Sequence, residues 1–301
     1  MSAITLLDGG LGQEIYRRAG KPAHPLWSVR VMMERPEIVA SVHQDFIRAG
    51  SRVITTNNYT ATPTRLRRDG NFDWFAPLQR QALKIAQESR EKLGATAQGV
   101  QIAGCLPPLV GSYVTDTRPF SELREEYGQL VAIQAQEVDI FLAETIADIP
   151  SARAALEAVQ GSGKPVCLSL TLSDTAPCLL RSGATIEDAL KAIAPYAPRA
   201  ITLNCSFPET IDQVIGHLST GDIPYGGYAN GFTSVEALQP GGTVEVLSAR
   251  TDLNKQQYAT HALRWIHQGA SVIGGCCEVG PDHIAYLRDQ ILAAGFSIEA
   301  F

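Results

Sequence analysis

The chain has 301 residues, 45% hydrophobic and 19% charged, a globular composition with enough length to bury a large core. Its net charge of −6 and pI near 5.6 argue against nucleic acid as a partner, because no basic excess exists to release counterions from phosphates. No window approaches the roughly 20 continuous apolar residues of a membrane span, and residues 1–7 are too short and uncharged for a signal peptide. The expected compartment is therefore the cytoplasm, with no membrane partner.

Short apolar runs alternate with longer helical patterns, and the pair recurs eight times. The expected strands are residues 4–7, 52–56, 100–103, 140–143, 166–172, 200–203, 225–228 and 271–273. The helical candidates between and after them are 36–49, 77–93, 121–137, 149–160, 185–194, 208–218, 255–267 and 281–294. Several open on proline or a capping Ser or Thr, and several end near a glycine, as at Gly50, Gly94, Gly269 and Gly295. The strands are apolar throughout rather than alternating, as in a parallel sheet covered on both faces. Eight β-then-α units predict an α/β fold, a (β/α)₈ TIM barrel forming a single domain over residues 1–301. A doubly wound sheet is the alternative, but Gly9-Gly10-Leu11-Gly12 matches its dinucleotide fingerprint only superficially. The glycine-rich stretch 226–242 reads as a long loop after the seventh strand.

In such barrels the chemistry lies where strands end and the following loops begin. That rule selects Asp8, Thr55 to Asn58, Gly104-Cys105, Glu144, Asn204-Cys205, Asn230 and Gly274 to Cys277. Of six cysteines, Cys105, Cys167 and Cys178 are scattered, whereas Cys205 and the adjacent Cys276 and Cys277 all fall at strand ends. Neighbouring residues on a regular strand point to opposite faces, so Cys276 and Cys277 need an irregular backbone to share a ligand, which Gly274-Gly275 permits. Three sulfurs suit Zn²⁺ with a fourth position left open, the arrangement of a catalytic zinc. Two other readings stand beside it: a buried pair of small hydrophobic cysteines with an unrelated third, or a disulfide between the neighbours.

Among the remaining candidates, Asp8 also suits a turn cap. Glu144 ends an apolar run, where an unpaired carboxylate is hard to justify structurally. Cys105 and Cys167 read as packed residues and Cys178 as a loop thiol. His43 reads as a packing histidine, and His283 as part of the last helix's first turn. Trp27 and Tyr113 are expected in loops, where they wall a cationic ligand by cation–π attraction or form a lid contact.

These residues also carry a family pattern. Leu7-Asp8-Gly9-Gly10-Leu11-Gly12, Leu26-Trp27-Ser28, Asn204-Cys205 and Gly274-Gly275-Cys276-Cys277, followed by Pro281-x-His283-Ile284, resemble the homocysteine S-methyltransferases. Pro36-Glu37, His43, Ala49-Gly50, Ile54-Thr55-Thr56-Asn57, Tyr59 and Glu144-Thr145-Ile146 are similar too. The resemblance runs over residues 8–284 and implies a zinc-bearing (β/α)₈ barrel that methylates homocysteine to methionine. It implies Cys205, Cys276 and Cys277 as ligands of Zn²⁺, with Asp8 and Glu144 on the substrate ammonium. Thr55, Thr56 and Asn57 are candidates for the substrate carboxylate. Asn230, in Tyr228-Ala229-Asn230-Gly231, resembles an element of cobalamin-dependent methionine synthases whose asparagine fills the fourth zinc position until substrate arrives. One departure stands beside the metal: Glu278-Val279-Gly280-Pro281 replaces the family's usual Arg-Thr-Thr-Pro, an anion for a cation that bears on the acceptor or donor.

The expected partners are homocysteine, or a selenol relative, and a small methyl donor. A chain of 301 residues has no room for separate folate or cobalamin domains, so S-methylmethionine or S-adenosylmethionine is expected, with betaine-type donors open. A homo-oligomer is compatible with the sequence. A zinc store or oxidation sensor is the non-enzymatic alternative.

Overall fold

The computed structural model describes residues 3–20, 22–219 and 221–301. Nine parallel strands form the sheet: β1 (Ala3–Leu6), β2 (Val53–Thr55), β3 (Gln101–Leu106), β4 (Ile140–Ile146), β5 (Val166–Leu170), β6 (Ala200–Asn204), β7 (Tyr225–Tyr228), β8 (Val272–Ile273) and β9 (Ser297–Glu299). Their order is β2-β3-β4-β5-β6-β7-β8-β1-β9. The barrel closes between β1 and β2 through the parallel bridge of Leu7 with Val53. There the Asp8 N–H donates to the Val53 carbonyl at 2.9 Å and the Arg52 N–H to the Leu6 carbonyl at 2.7 Å.

Eleven α-helices are described. They are α1 (Leu11–Ala19), α2 (Trp27–Glu34), α3 (Pro36–Ala49), α4 (Pro63–Asp69), α5 (Phe75–Lys92), α6 (Phe120–Gln134), α7 (Ile149–Gln160), α8 (Ile186–Ile193), α9 (Pro208–Val214), α10 (Lys255–His267) and α11 (Pro281–Ala293). Their starts are locally encoded. Thr62, Asp148, Thr185 and Asn254 each accept a backbone N–H from the first turn, and Pro opens α3, α4, α9 and α11 in the positions where its missing N–H is not needed. None of the described helices is long and apolar enough to cross a membrane.

The eight expected strands are present. Three helices, α1, α2 and α4, and the ninth strand were not expected. β9 pairs with Ala3 to Thr5 on the edge of β1 opposite β8, and fills the lower part of the β1–β2 gap. It is short and follows a helix with no turn pattern of its own, so nothing local distinguishes it from a tail.

The core has two layers of origin. Helix faces pack on the outer surface of the barrel, whereas Leu7, Val53, Ala103, Ile140, Leu142 and Cys167 belong to the cluster that fills its interior. Strand periodicity then places the functional positions, because residues two apart share a face. Thr55 stands above Val53, Cys105 above Ala103, and Glu144 above Leu142 and Ile140. The upper layer of the barrel is therefore polar at the end where the loops begin.

Candidate metal centre and substrate cleft

Cys205 follows β6 directly with φ at 50°, which takes its side chain out of the strand alternation. Cys276 and Cys277 follow β8 after the two glycines. Neither glycine is left-handed; what they supply is space. A Cβ on Gly275 would overlap the Val279 side chain, and one on Gly10 would overlap the Cys276 carbonyl. The segment is tied down by Gly275 N–H to the Asp8 carbonyl (3.0 Å), Cys276 N–H to the Ala229 carbonyl (2.9 Å) and Gly231 N–H to the Cys277 carbonyl (2.8 Å). Tyr258 of α10 ties both neighbours, its hydroxyl donating to the Gly274 carbonyl at 2.7 Å and accepting from the Ala229 N–H at 3.1 Å.

The sulfurs of Cys205, Cys276 and Cys277 lie within 4.8 Å of one another. Cys205 and Cys276 are paired as a disulfide with their Cα atoms 5.7 Å apart, and Cys277 is a buried free thiol. Burial pushes that thiol up to about 12, so the bare sulfur stays protonated at neutral pH. With the disulfide reduced, the donor set suits zinc: three soft sulfurs from two loops, all on the wall of one cleft.

Asp8 and Glu144 stand on the same cleft. Asp8 is 5% exposed. Its Oδ2 accepts the Thr55 N–H at 2.8 Å and its Oδ1 the Thr55 hydroxyl at 3.2 Å. Even so, burial dominates and pushes its carboxyl up to about 8, with the nearby Glu144 adding to the rise. Glu144 accepts the Cys105 thiol at 3.1 Å and is pushed up to about 7 by burial. Two desolvated carboxyls with no cation at ion-pair distance among the described residues are complementary to an arriving ammonium, whose charge would favour their anions.

Aromatic side chains cover the sulfurs. Trp27, Tyr113 and Phe232 pack in the cysteine cluster, and the Tyr113 hydroxyl donates to the Cys205 sulfur at 3.4 Å. Backbone strain concentrates here too. Trp27, Tyr113, Thr145 and Cys205 have positive φ and line the cleft, and Glu278, which follows Cys277, shares that conformation. Thr145 is held in it by Asn204, which accepts the Thr145 N–H and donates to its hydroxyl, both at 2.9 Å. Glu278 itself accepts the Gln13 amide at 2.7 Å.

The cleft thus brings together the three cysteines, Asp8, Thr55 and Glu144. Two expected residues lie elsewhere. Asn57 is buried away from the cleft wall with its amide donating to the Ser28 carbonyl at 3.1 Å, because the loop after β2 needs that tie to α2. Asn230 is also absent from the wall; its Oδ1 accepts the Phe232 N–H at 3.1 Å and shapes the turn after β7. Trp27 is not in a loop but opens α2. Cys105 and Cys167 are buried, Cys178 is exposed, and His283 lies in the first turn of α11. His43 is buried with no partner for either ring nitrogen among the described residues, and burial lowers it to about 4. Phe232 and Arg65 were not foreseen; the Thr62-Pro63 start of α4 was the available signal for the second.

A family model described as homocysteine S-methyltransferase matches residues 5–291. The chain belongs to that family. It is 28% identical to the homocysteine S-methyltransferase of Escherichia coli (strain K12), over 95% of this chain and 94% of that one. It is 25% identical to the selenocysteine Se-methyltransferase of Brassica oleracea var. italica, over 96% and 89% of the two chains. In fold it matches the metallated form of the E. coli homocysteine methyltransferase MmuM with a TM-score of 0.79, at 24% identity over 96% of both chains. The TIM-barrel architecture and the methyltransferase class are those of the family.

Proposed function

We propose that Cys205, Cys276 and Cys277 hold one zinc ion, and that the chain transfers a methyl group from a small sulfonium donor, such as S-methylmethionine or S-adenosylmethionine, to homocysteine. The observation that carries this reading is the meeting of three sulfurs from the ends of β6 and β8 beside two desolvated carboxyls on the same cleft. The likeness to a protein solved in a metallated form supports a metal, and the all-sulfur donor set favours zinc. When bound, zinc supplies a Lewis acid that keeps the acceptor sulfur deprotonated and nucleophilic at neutral pH.

The chain's own residues do the rest. Asp8 and Glu144 hold the ammonium of the amino-acid acceptor, and Thr55 fixes Asp8 in the orientation that presents its oxygens to the cleft. Trp27, Tyr113 and Phe232 keep water from the sulfurs, and the aromatic faces suit a cationic donor. An anionic nucleophile and a cationic donor become neutral products, so a dry cleft lowers the barrier and no general base is required at carbon. Only thiolates bind the metal, so the Cys205–Cys276 pair must be reduced before zinc is taken up.

The test is metal analysis and product analysis of reduced, zinc-loaded protein with homocysteine and S-methylmethionine. One zinc per chain and methionine as product are expected. Cys276→Ala is expected to lose both the metal and the transfer; retention of both would sink the assignment. The likeness to a selenocysteine Se-methyltransferase and the anionic Glu278 beside the cysteines favour a second acceptor, a selenol, which a thiol-and-selenol panel compares directly.

A further inference from the structure

The cleft has an acidic end at Asp8 and Glu144, and it also holds a cation with no assigned task. Arg65, in α4, is 5% exposed and forms part of the cleft wall. Its Nη2 donates to the Pro108 carbonyl at 2.9 Å, while its Nε has no hydrogen-bond partner. Among the described residues no carboxylate lies within ion-pair distance of it, whereas the nearby Arg68 pairs with Asp69 and Arg118 with Asp116 and Glu126. A guanidinium cannot shed its proton to relieve desolvation. Holding one buried without a counter-charge is costly, and one carbonyl and the face of Tyr59 offset that cost only in part.

Its position connects it to the reacting centre. The guanidinium carbon lies 5.2 Å from the Tyr59 ring centroid. Tyr59 stands edge-on to Trp27 with centroids 6.3 Å apart, and Trp27 packs on the cysteine cluster. The Ser28 hydroxyl and the Trp27 indole N–H, on the same wall, also lack partners among the described residues. One cleft therefore presents two desolvated carboxyls at Asp8 and Glu144, whose anions an arriving ammonium would favour, and a cation at Arg65 with two free polar groups on the same wall. That is the complement of a zwitterion.

We propose that Arg65 binds the carboxylate of an amino-acid substrate through charge-assisted hydrogen bonds. The proposal rests on the methyl-transfer function above and assigns one more residue to its specificity. Acceptor and donor amino acids both carry the group, so the two are separated by experiment. A guanidinium–carboxylate pair in a dry wall is favoured because the planar fork matches both oxygens.

The test is equilibrium binding to reduced, zinc-loaded protein by calorimetry, with two matched pairs. One pair is homocysteine and 3-aminopropanethiol, which differ only in the carboxylate. The other is S-methylmethionine and (3-aminopropyl)dimethylsulfonium. Arg65→Met is expected to weaken the carboxylate-bearing member of one pair by roughly 10- to 100-fold, leaving its decarboxylated partner nearly unchanged. Arg65→Lys restores part of the loss because it keeps the charge without the fork, and it serves as the main variant if Arg65→Met does not fold. The pair that responds identifies whose carboxylate is held. Equal weakening of both members, or no weakening of either pair, overturns the assignment and leaves Arg65 a structural residue. If the unaltered protein binds neither homocysteine nor the sulfonium, the methyl-transfer function itself has failed, and this assignment with it.

Discussion

Asp8 and Glu144 are the residues whose charge depends most on what fills the cleft. Burial raises Asp8 to about 8 and Glu144 to about 7, both well above their ordinary values. In the ligand-free protein the folded state therefore holds protons that the unfolded chain has released. The associated stability is fully present below the ordinary carboxyl range near pH 4, and is lost as pH rises through about 7 and about 8. Thermal melts of the ligand-free protein are expected to fall across that window, and the double variant Asp8→Asn with Glu144→Gln to flatten the slope. Binding an ammonium reverses the preference, so homocysteine should displace protons from the cleft below pH 8. Calorimetry in two buffers of different ionisation enthalpy reads that release. Asp8→Asn alone is expected to raise the KM for homocysteine by about 10- to 100-fold, since a hydrogen bond to a charged group is lost. An unchanged KM would remove Asp8 from the binding site.

At the scale of elements, α10 positions the loop that carries Cys276 and Cys277 from outside the cleft wall. Tyr258 is 1% exposed, and its hydroxyl joins the carbonyl of Gly274 to the N–H of Ala229. The ends of β7 and β8 are thereby held in one register, and with them the cysteines that follow. Tyr258→Phe removes the hydroxyl and strands both backbone groups. A stability loss of about 1–3 kcal/mol is expected, together with zinc affinity lowered about 10- to 100-fold, as when a group that orients ligands is removed. A chelator competition read beside a thermal melt separates the two effects. Unaltered affinity in a destabilised variant would show that α10 supports the fold but not the ligand geometry. The strained residues follow the same logic: Asn204 at the end of β6 holds Thr145 after Glu144, so one strand fixes the backbone of another where the carboxyl must face the cleft.

Over the whole molecule, closure of the barrel is what brings distant segments together. The bridge between β1 and β2 is short, and β9 completes the lower part of that seam. Phe301 packs against the interior cluster at the end away from the cleft. Its N–H donates to the Gln101 side chain at 3.2 Å, and Arg199 lies 6.0 Å from its ring. Phe301→Ala is expected to cost about 1–2 kcal/mol for a half-buried aromatic. Because Phe301 and the cleft lie at opposite ends of the barrel, kcat and KM should stay unchanged, since the face away from the loops serves stability rather than chemistry. A change in kcat at full occupancy of folded protein would show coupling along the barrel.

Local patterning along the chain was enough for the sheet's eight main strands, most helices and the positions at strand ends where chemistry gathers. Those features rest on local rules: apolar runs, prolines and caps at helix starts, and a side-chain period of two that sets Glu144 above Leu142 and Ile140. It also marked Cys205, Cys276 and Cys277, because residue type and location at the ends of strands are visible without coordinates. Tertiary structure alone decided which of the marked residues face the cleft. Asn57 and Asn230 sit at strand ends as well, yet loop packing turns the Asn57 amide nitrogen and the Asn230 Oδ1 to backbone partners, and no local pattern records that choice. The same holds for the role of Gly275, which is set by how closely Val279 approaches it. Arg65 and β9 are legible only after folding, since a missing counter-charge and a filled seam are properties of neighbours far apart in the chain.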